Sequence, residues 1–328
     1  MQLIDTAQLI SYYEEHFSAG DSLSVGHPLI VEYLNMVSRK ILGSKVCREY
    51  PDVMTFGYFC RKSSIQRALS RKGYFPDNFG WGNAIHITPS NIAVNFAFSF
   101  VFGLLAGNSN IVRVPSSKWP QVDVLIDIFE KIGSSEEYLI LKKKNIFVRT
   151  ERDDSRLNFL VSICDALVVW GGDETVSSFR KLPKKPRCAE LYFPDRTSSL
   201  VINSMRVNEQ GESDLFELSR SFFNDTYLVD NNACSSPRKI FWVGSPECID
   251  KAKAIFWESV NAVLIAKNHE VGNVAKIDKY LDILRLVRQA KAAIPVRKVS
   301  EDIWLTEYNK DHGYGRLGRF SEASFETL

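Results

Sequence analysis

From Asn83 onward the chain alternates short apolar runs with longer amphipathic ones. "NAIHITP", "NIVRVP", "NIFVRTE" and "DALVVWGGDE" are short, apolar and rich in β-branched residues, so each is predicted as a strand. Between them stand "NIAVNFAFSFVFGLLAGN", "QVDVLIDIFEKIG" and "RDDSRLNFLVSIC", whose apolar positions recur at helical spacing. The first of these ends at Gly107-Asn108, where a left-handed residue is commonly needed. Strand and helix in this alternation predict a parallel sheet covered by helices on both faces. Upstream, residues 1 to about 80 read as helical and polar, with Gly43 closing the helix of "HPLIVEYLNMVSRKILG". "RALSRKGYFPDNFGWGN" marks a boundary by its Gly, Pro, Asn and Asp content. Downstream of Cys188, "AELYF", "SSLVIN" and "RKIFWVG" are predicted strands. "ESDLFELSRSFFND", "SPECIDKAKAIFWESVNAVLIAKNH" and "NVAKIDKYLDILRLVRQAKAA" are predicted helices. The expected division is 1–80, 81–187 and 188–328, an α/β protein with no internal repeat.

Composition narrows the function classes. A chain of 328 residues usually carries more than one core. Its 41 basic and 39 acidic residues nearly cancel, which gives no reason to expect nucleic acid or a membrane as partner. Six cysteines lack C-x-x-C spacing and lie far from the five histidines, so neither a structural zinc site nor a disulfide framework is expected. Reduced thiols and an acidic, amphipathic N-terminus without a signal-peptide pattern suit a cytoplasmic protein. Ile92 to Ala106, the most apolar stretch, is too short to span a bilayer and contains Asn95.

Four stretches can carry chemistry. Thr88, Pro89, Ser90 and Asn91 form a polar turn at a strand's carboxyl end, where open α/β sheets bind ligands and helix starts favour anions. A helix cap explains the same residues. Arg113, Ser116, Ser117 and Lys118 end the next strand and suit a phosphate or a ribose, or else form a solvated loop. Gly171 and Gly172 follow an apolar strand and let a backbone approach a ligand, although G-x-G-x-x-G is absent. Cys234 sits in "DNNACSSP" among small residues that leave room at its sulfur. It is a nucleophile candidate, against the commoner role of a cysteine as packing. A helix beginning at Ser235-Ser236-Pro237 would favour its thiolate.

In this order "HITPSN", "GLLAGNSNIVRVPSS", "ALVVWGGDE" and "NNACSSP" resemble the aldehyde dehydrogenase superfamily, most closely its LuxC-type acyl-CoA reductase branch, over roughly residues 80 to 245. The resemblance implies a Rossmann-like cofactor domain (81–187) and an α/β catalytic domain (188–328) behind the N-terminal helical segment. It implies Cys234 as the nucleophile, with Asn91 and the Cys234 backbone N–H as oxyanion donors. Thr88, Pro89 and Ser90 match the turn beside the cofactor, and Gly171-Gly172 the glycine pair. Arg113 stands where the superfamily has a ribose-contacting lysine, and Ser116 where NAD-preferring members carry a glutamate. Losing that carboxylate beside Arg113 and Lys118 removes a repulsion to a 2′-phosphate and adds attraction from both cations, which favours NADPH over NADH as cofactor. The implied substrate is an acyl-CoA or other acyl-carrier thioester, with an acyl-protein ligase partner and a homo-oligomer as further expectations.

Two departures bear on activity. The glutamate that activates water in the hydrolytic members is matched by Tyr192, with Glu190 nearby. The chain after Cys234 is also about half the length the family pattern implies, so the last cofactor-domain segment and the oligomerisation strand are expected to be missing. An aldehyde dehydrogenase or acyl-phosphate reductase of the same superfamily stays open as an alternative. So does a shortened, non-catalytic subunit that binds a partner enzyme.

Overall fold

The computed structural model describes residues 2–17, 22–70, 77–90, 92–116, 118–151, 154–194, 196, 198–227, 235–269, 276–277, 280–281, 283–285, 288, 295–307 and 319–326. They form two compact units, residues 1–195 and 196–328.

The first unit is built on a six-stranded parallel sheet. Its strands are β1 (Leu3–Ile4), β2 (Asn83–Ile87), β3 (Ser109–Arg113), β4 (Asn145–Val148), β5 (Ala166–Trp170) and β6 (Ala189–Phe193), in the spatial order β1-β4-β3-β2-β5-β6. Its helices are α1 (Leu9–His16), α2 (Pro28–Gly43), α3 (Pro51–Phe59), α4 (Lys62–Leu69), α5 (Asn95–Leu105), α6 (Pro120–Gly133), α7 (Leu139–Lys143), α8 (Ser155–Ile163) and α9 (Asp173–Lys181). Every residue of β2, β3 and β4 is buried, as expected of parallel strands covered on both faces. Strand alternation then sorts the side chains. Ile85, Ile87, Ile111, Ile146, Val148, Leu167 and Val169 join one core with α1, α8 and α9. Val112 and Phe147 join the other, with α2 to α6. α5 is apolar almost all round because it is buried almost all round. Phe96, Phe100, Phe129 and Phe147 pack there with ring centroids 5.1–5.6 Å apart.

The helix starts are explained by local chemistry. Proline occupies the first position of α2, α3 and α6, where its missing N–H costs nothing. Asp154 caps α8 through Oδ1, which accepts the Arg156 N–H at 2.9 Å. At the end of α5, Gly107 has φ +83°, and a Cβ there would lie 2.0 Å from the Leu23 carbonyl oxygen, so only glycine fits.

The second unit carries a five-stranded sheet. It comprises β7 (Ser198–Asn203), β8 (Pro237–Gly244), β9 (Val296–Lys298), β10 (Trp304–Glu307) and β11 (Arg319–Glu326), in the order β7-β8-β11-β10-β9. Only the β9–β10 pair is antiparallel. α10 (Ser204–Asn208), α11 (Glu212–Thr226) and α12 (Pro246–Ala266) accompany it. Its core gathers Trp242, Trp257, Phe222, Phe256 and Phe320. The two indole N–H groups donate to one acceptor, Glu322 Oε1, at 2.8 and 2.9 Å, so neither is buried unpaired.

Candidate active site

The carboxyl ends of the first unit's strands bring three polar turns together. Register pairs Arg113 with Ile87 of β2 and Val148 of β4, so the three strands end level. Arg113 Nε donates to the Thr150 carbonyl oxygen at 2.9 Å and Nη1 to the Thr88 carbonyl oxygen at 3.0 Å. Thr88 Oγ1 returns a bond to the Arg113 carbonyl oxygen at 2.5 Å. Arg113 is only 6% exposed, so it is neither a solvated loop charge nor an extended arm. Its guanidinium ties the turn after β2 to the end of β4. Ser90 and Ser116 face each other across these turns, Oγ to Oγ 3.4 Å. Trp119 Nε1 donates to the Ser90 carbonyl oxygen at 3.1 Å, which holds the two loops in register. Pro89 is half-buried, while Ser116 and Lys118 are exposed. Asn91 lies outside the described residues, as does Ser117.

Gly171 and Gly172 follow β5 as predicted. The Gly171 N–H donates to the Phe193 carbonyl oxygen at 3.3 Å, and a Cβ on Gly171 would meet Thr175 at 2.9 Å. Gly172 is the residue before α9, whose first turn carries Asp173 and Glu174. Immediately before the glycines, Trp170 stacks on Phe193 with centroids 3.8 Å apart and planes at 9°.

Behind this edge runs a buried polar network that sequence reasoning missed. Asn110 Nδ2 donates to the Asn108 carbonyl oxygen and to Asn145 Oδ1, at 2.9 and 2.7 Å, which turns its Oδ1 toward His86 Nε2, 2.9 Å away. His86 is therefore protonated on Nε2, and Nδ1 accepts from the Ser99 hydroxyl at 2.8 Å. Ser99 Oγ in turn accepts from Trp170 Nε1 at 3.0 Å. Burial lowers the His86 pKa to about 4, against a smaller opposing effect of its bond to Asn110, so the ring is neutral at pH 7. The available signal was polar residues at inward positions of the apolar strands "NAIHI" and "SNIVR". Asn95 was visible too. It opens α5, and its Oδ1 is buried without a hydrogen-bond partner among the described residues.

Tyr192 and Glu190 lie two residues apart on β6 and hydrogen-bond to each other. Glu190 also pairs with Lys184 Nζ at 3.4 Å, and the Arg180 guanidinium sits 4.8 Å from the Tyr192 ring centroid. Burial, with the Glu190 hydrogen bond and charge adding to it, raises the Tyr192 pKa, so its hydroxyl stays protonated.

In the second unit, residues 228–234, Cys234 among them, lie outside the described residues, which resume at Ser235. Ser236 Oγ donates to the Asp225 carbonyl oxygen in α11 at 2.6 Å. From Pro237 the chain is strand β8, as predicted for "RKIFWVG", so the condition of a helix beginning at Ser235-Ser236-Pro237 is not met. An apolar cavity of about 280 Å³ opens beside α10, α11 and β7, lined by Leu200, Ile202, Leu218, Phe222 and Pro237, with Arg206 and Asp225 among its polar residues.

Residues 54–267 match the family described as acyl-CoA reductase (LuxC), well over half of the chain. The chain belongs to that family. Similar solved structures are aldehyde dehydrogenases. One is an NAD-dependent aldehyde dehydrogenase from Sinorhizobium meliloti, with TM-score 0.68 and 10% identity, covering 98% of this chain and 70% of that one. Another is an aldehyde dehydrogenase from Pseudomonas aeruginosa, with TM-score 0.67 and 11% identity, covering 98% and 72%. A third is a betaine aldehyde dehydrogenase from Staphylococcus aureus in complex with NAD+, with TM-score 0.63 and 13% identity, covering 98% and 70%. At these identities the likeness is one of fold, and it establishes the α/β, aldehyde-dehydrogenase-like class of this acyl-CoA reductase family member. A search of curated proteins finds no match. No helix among the described residues is long and apolar enough to cross a membrane.

Proposed function

We propose that the protein reduces an acyl thioester to an aldehyde, with NADPH as hydride donor and Cys234 as nucleophile. The observation that carries this reading is the cluster of Thr88, Ser90, Arg113 and Ser116 at the sheet's carboxyl edge, in a chain of the acyl-CoA reductase family. In an open α/β sheet this edge is where a dinucleotide binds. Ser90 and Ser116 supply hydroxyls for a ribose or phosphate, and the exposed Lys118 supplies charge. Ser116 brings no carboxylate against a 2′-phosphate, which favours NADPH over NADH. Arg113, held by Thr88 and Thr150, acts by shaping the edge. Gly171 and Gly172 admit an uncharged part of the cofactor, because Asp173 and Glu174 disfavour a phosphate at the start of α9.

The chemistry has two stages. The Cys234 thiolate attacks the thioester carbonyl and forms a thioacyl enzyme as the carrier thiolate leaves. The Asn91 side-chain amide and the Cys234 backbone N–H hold the oxyanion, and one such donor contributes about 2.7–4 kcal/mol. NADPH, when bound, supplies hydride to the thioacyl carbon. The second oxyanion then collapses, aldehyde leaves and the Cys234 thiolate is restored. Hydrolysis of the thioacyl enzyme would need a base to activate water. Tyr192, at the position matched to that base, is held protonated and bonded to Glu190, which supports reduction rather than hydrolysis. The apolar cavity bordered by Pro237 suits the acyl tail.

The test is intact-mass analysis after incubation with acyl-CoA. A thioacyl adduct is expected on the wild type, is discharged as aldehyde on adding NADPH, and is absent from Cys234→Ala. Labelling of Cys234→Ala at the wild-type rate would overturn the mechanism. Equal affinities for NADPH and NADH would overturn the cofactor preference alone.

A further inference from the structure

We infer that Cys164 and Cys188 form a reversible disulfide, a redox modification site separate from the proposed nucleophile. Their sulfurs lie 3.6 Å apart, the only sulfur–sulfur approach among the described cysteines. A disulfide needs about 2.05 Å, so a closure of roughly 1.5 Å joins them.

The backbone is already arranged for this. Cys164 immediately precedes Asp165, whose carbonyl oxygen accepts the Ala189 N–H at 2.9 Å, and Cys188 immediately precedes Ala189. Lys185 Nζ holds Asp165 Oδ1 at 2.8 Å, a second tie between the same two segments. Both thiols therefore sit at the amino ends of the neighbouring strands β5 and β6. Cys164 is buried and Cys188 is partly exposed, which sets an order of events.

A peroxide-class oxidant takes the Cys188 thiol to a sulfenic acid and releases one water. The Cys164 thiol then attacks that sulfur, forming the S–S bond and releasing a second water. Two electrons pass from the two thiols to one peroxide, and a dithiol reductant reverses the step. Burial raises both thiol pKa values, so the reaction is slow without excess oxidant. The bond closes a loop holding β5, the Gly171-Gly172 turn and α9, and so restrains that stretch in the unfolded chain.

The experiment treats the full chain with hydrogen peroxide, alkylates the remaining thiols and maps peptides by mass. A Cys164–Cys188 cross-linked peptide is expected, abolished by dithiothreitol, and accompanied by a rise in Tm of about 5 °C. In Cys188→Ser neither the cross-link nor the Tm rise appears. In Cys164→Ala, Cys188 oxidises without cross-linking. The inference is overturned if wild-type Cys188 accumulates as sulfenic or sulfinic acid with Cys164 still alkylated. It is equally overturned if Cys188→Ser shows the same Tm rise. Mapping separates either outcome from oxidation of Cys234, so the result is independent of the thioester mechanism.

Discussion

Replacing His86 with glutamine should flatten the acid dependence of stability. His86 is fully buried, with its ring neutral and both nitrogens bonded, and its pKa is lowered from 6.5 to about 4. Once unfolded, the same side chain takes up a proton below about pH 6.5. Between about pH 6.5 and 4 the unfolded state therefore binds more protons than the folded one, and stability falls as pH falls. Each unit of pKa is worth ~1.4 kcal/mol, so the difference from the usual value costs on the order of 3 kcal/mol by pH 4. Above pH 6.5 this contribution to pH dependence vanishes. Glutamine presents a carbonyl toward Ser99 and an amide N–H toward Asn110, the same polarity as the neutral imidazole, but does not titrate. At pH 7.5 His86→Gln should be less stable by about 1–2 kcal/mol through imperfect packing. On acidification its disadvantage should shrink and then reverse near pH 5. The assay is urea unfolding of both proteins at several pH values between 4 and 7.5, with the other titrating groups cancelling in the difference. Parallel stability curves for the two proteins would refute the assignment of a neutral, desolvated His86.

Gly107→Ala should lower stability by more than the ~1 kcal/mol of an ordinary left-handed glycine replacement, because φ is +83° and the new Cβ would meet the Leu23 carbonyl oxygen at 2.0 Å; thermal unfolding checks it. Asp154→Ala removes the α8 cap and the ion pair with Arg156, with an expected loss of about 1 kcal/mol that urea titration resolves. Asn91→Ala should slow acylation by about 10²–10³ in a single-turnover mass assay while Cys234 remains labelled in the end.

The division of labour between sequence and tertiary structure follows from range. Periodicity marked β2 to β5 and the helices between them, because a parallel strand buried on both faces must be apolar and a surface helix must show a stripe. The order of the four quoted stretches was enough to point to the family, since short motifs at strand ends are local in sequence. Whether Arg113 reaches a ligand or grips the carbonyls of Thr88 and Thr150 could not be read locally, because those partners lie 25 and 37 residues away. The same holds for His86, which is neutral because it is buried, and whose partners Ser99 and Asn110 come to it from another helix and strand. "AELYF" was legible as a strand, but only pairing with β5 places it in the first sheet, where Cys188 meets Cys164. "RKIFWVG" was legible as a strand too, but its place between β7 and β11 was not, because β11 lies about 80 residues further along the chain. Local pattern states what a segment can form; contacts distant in sequence decide the sheet it joins and the charges it keeps.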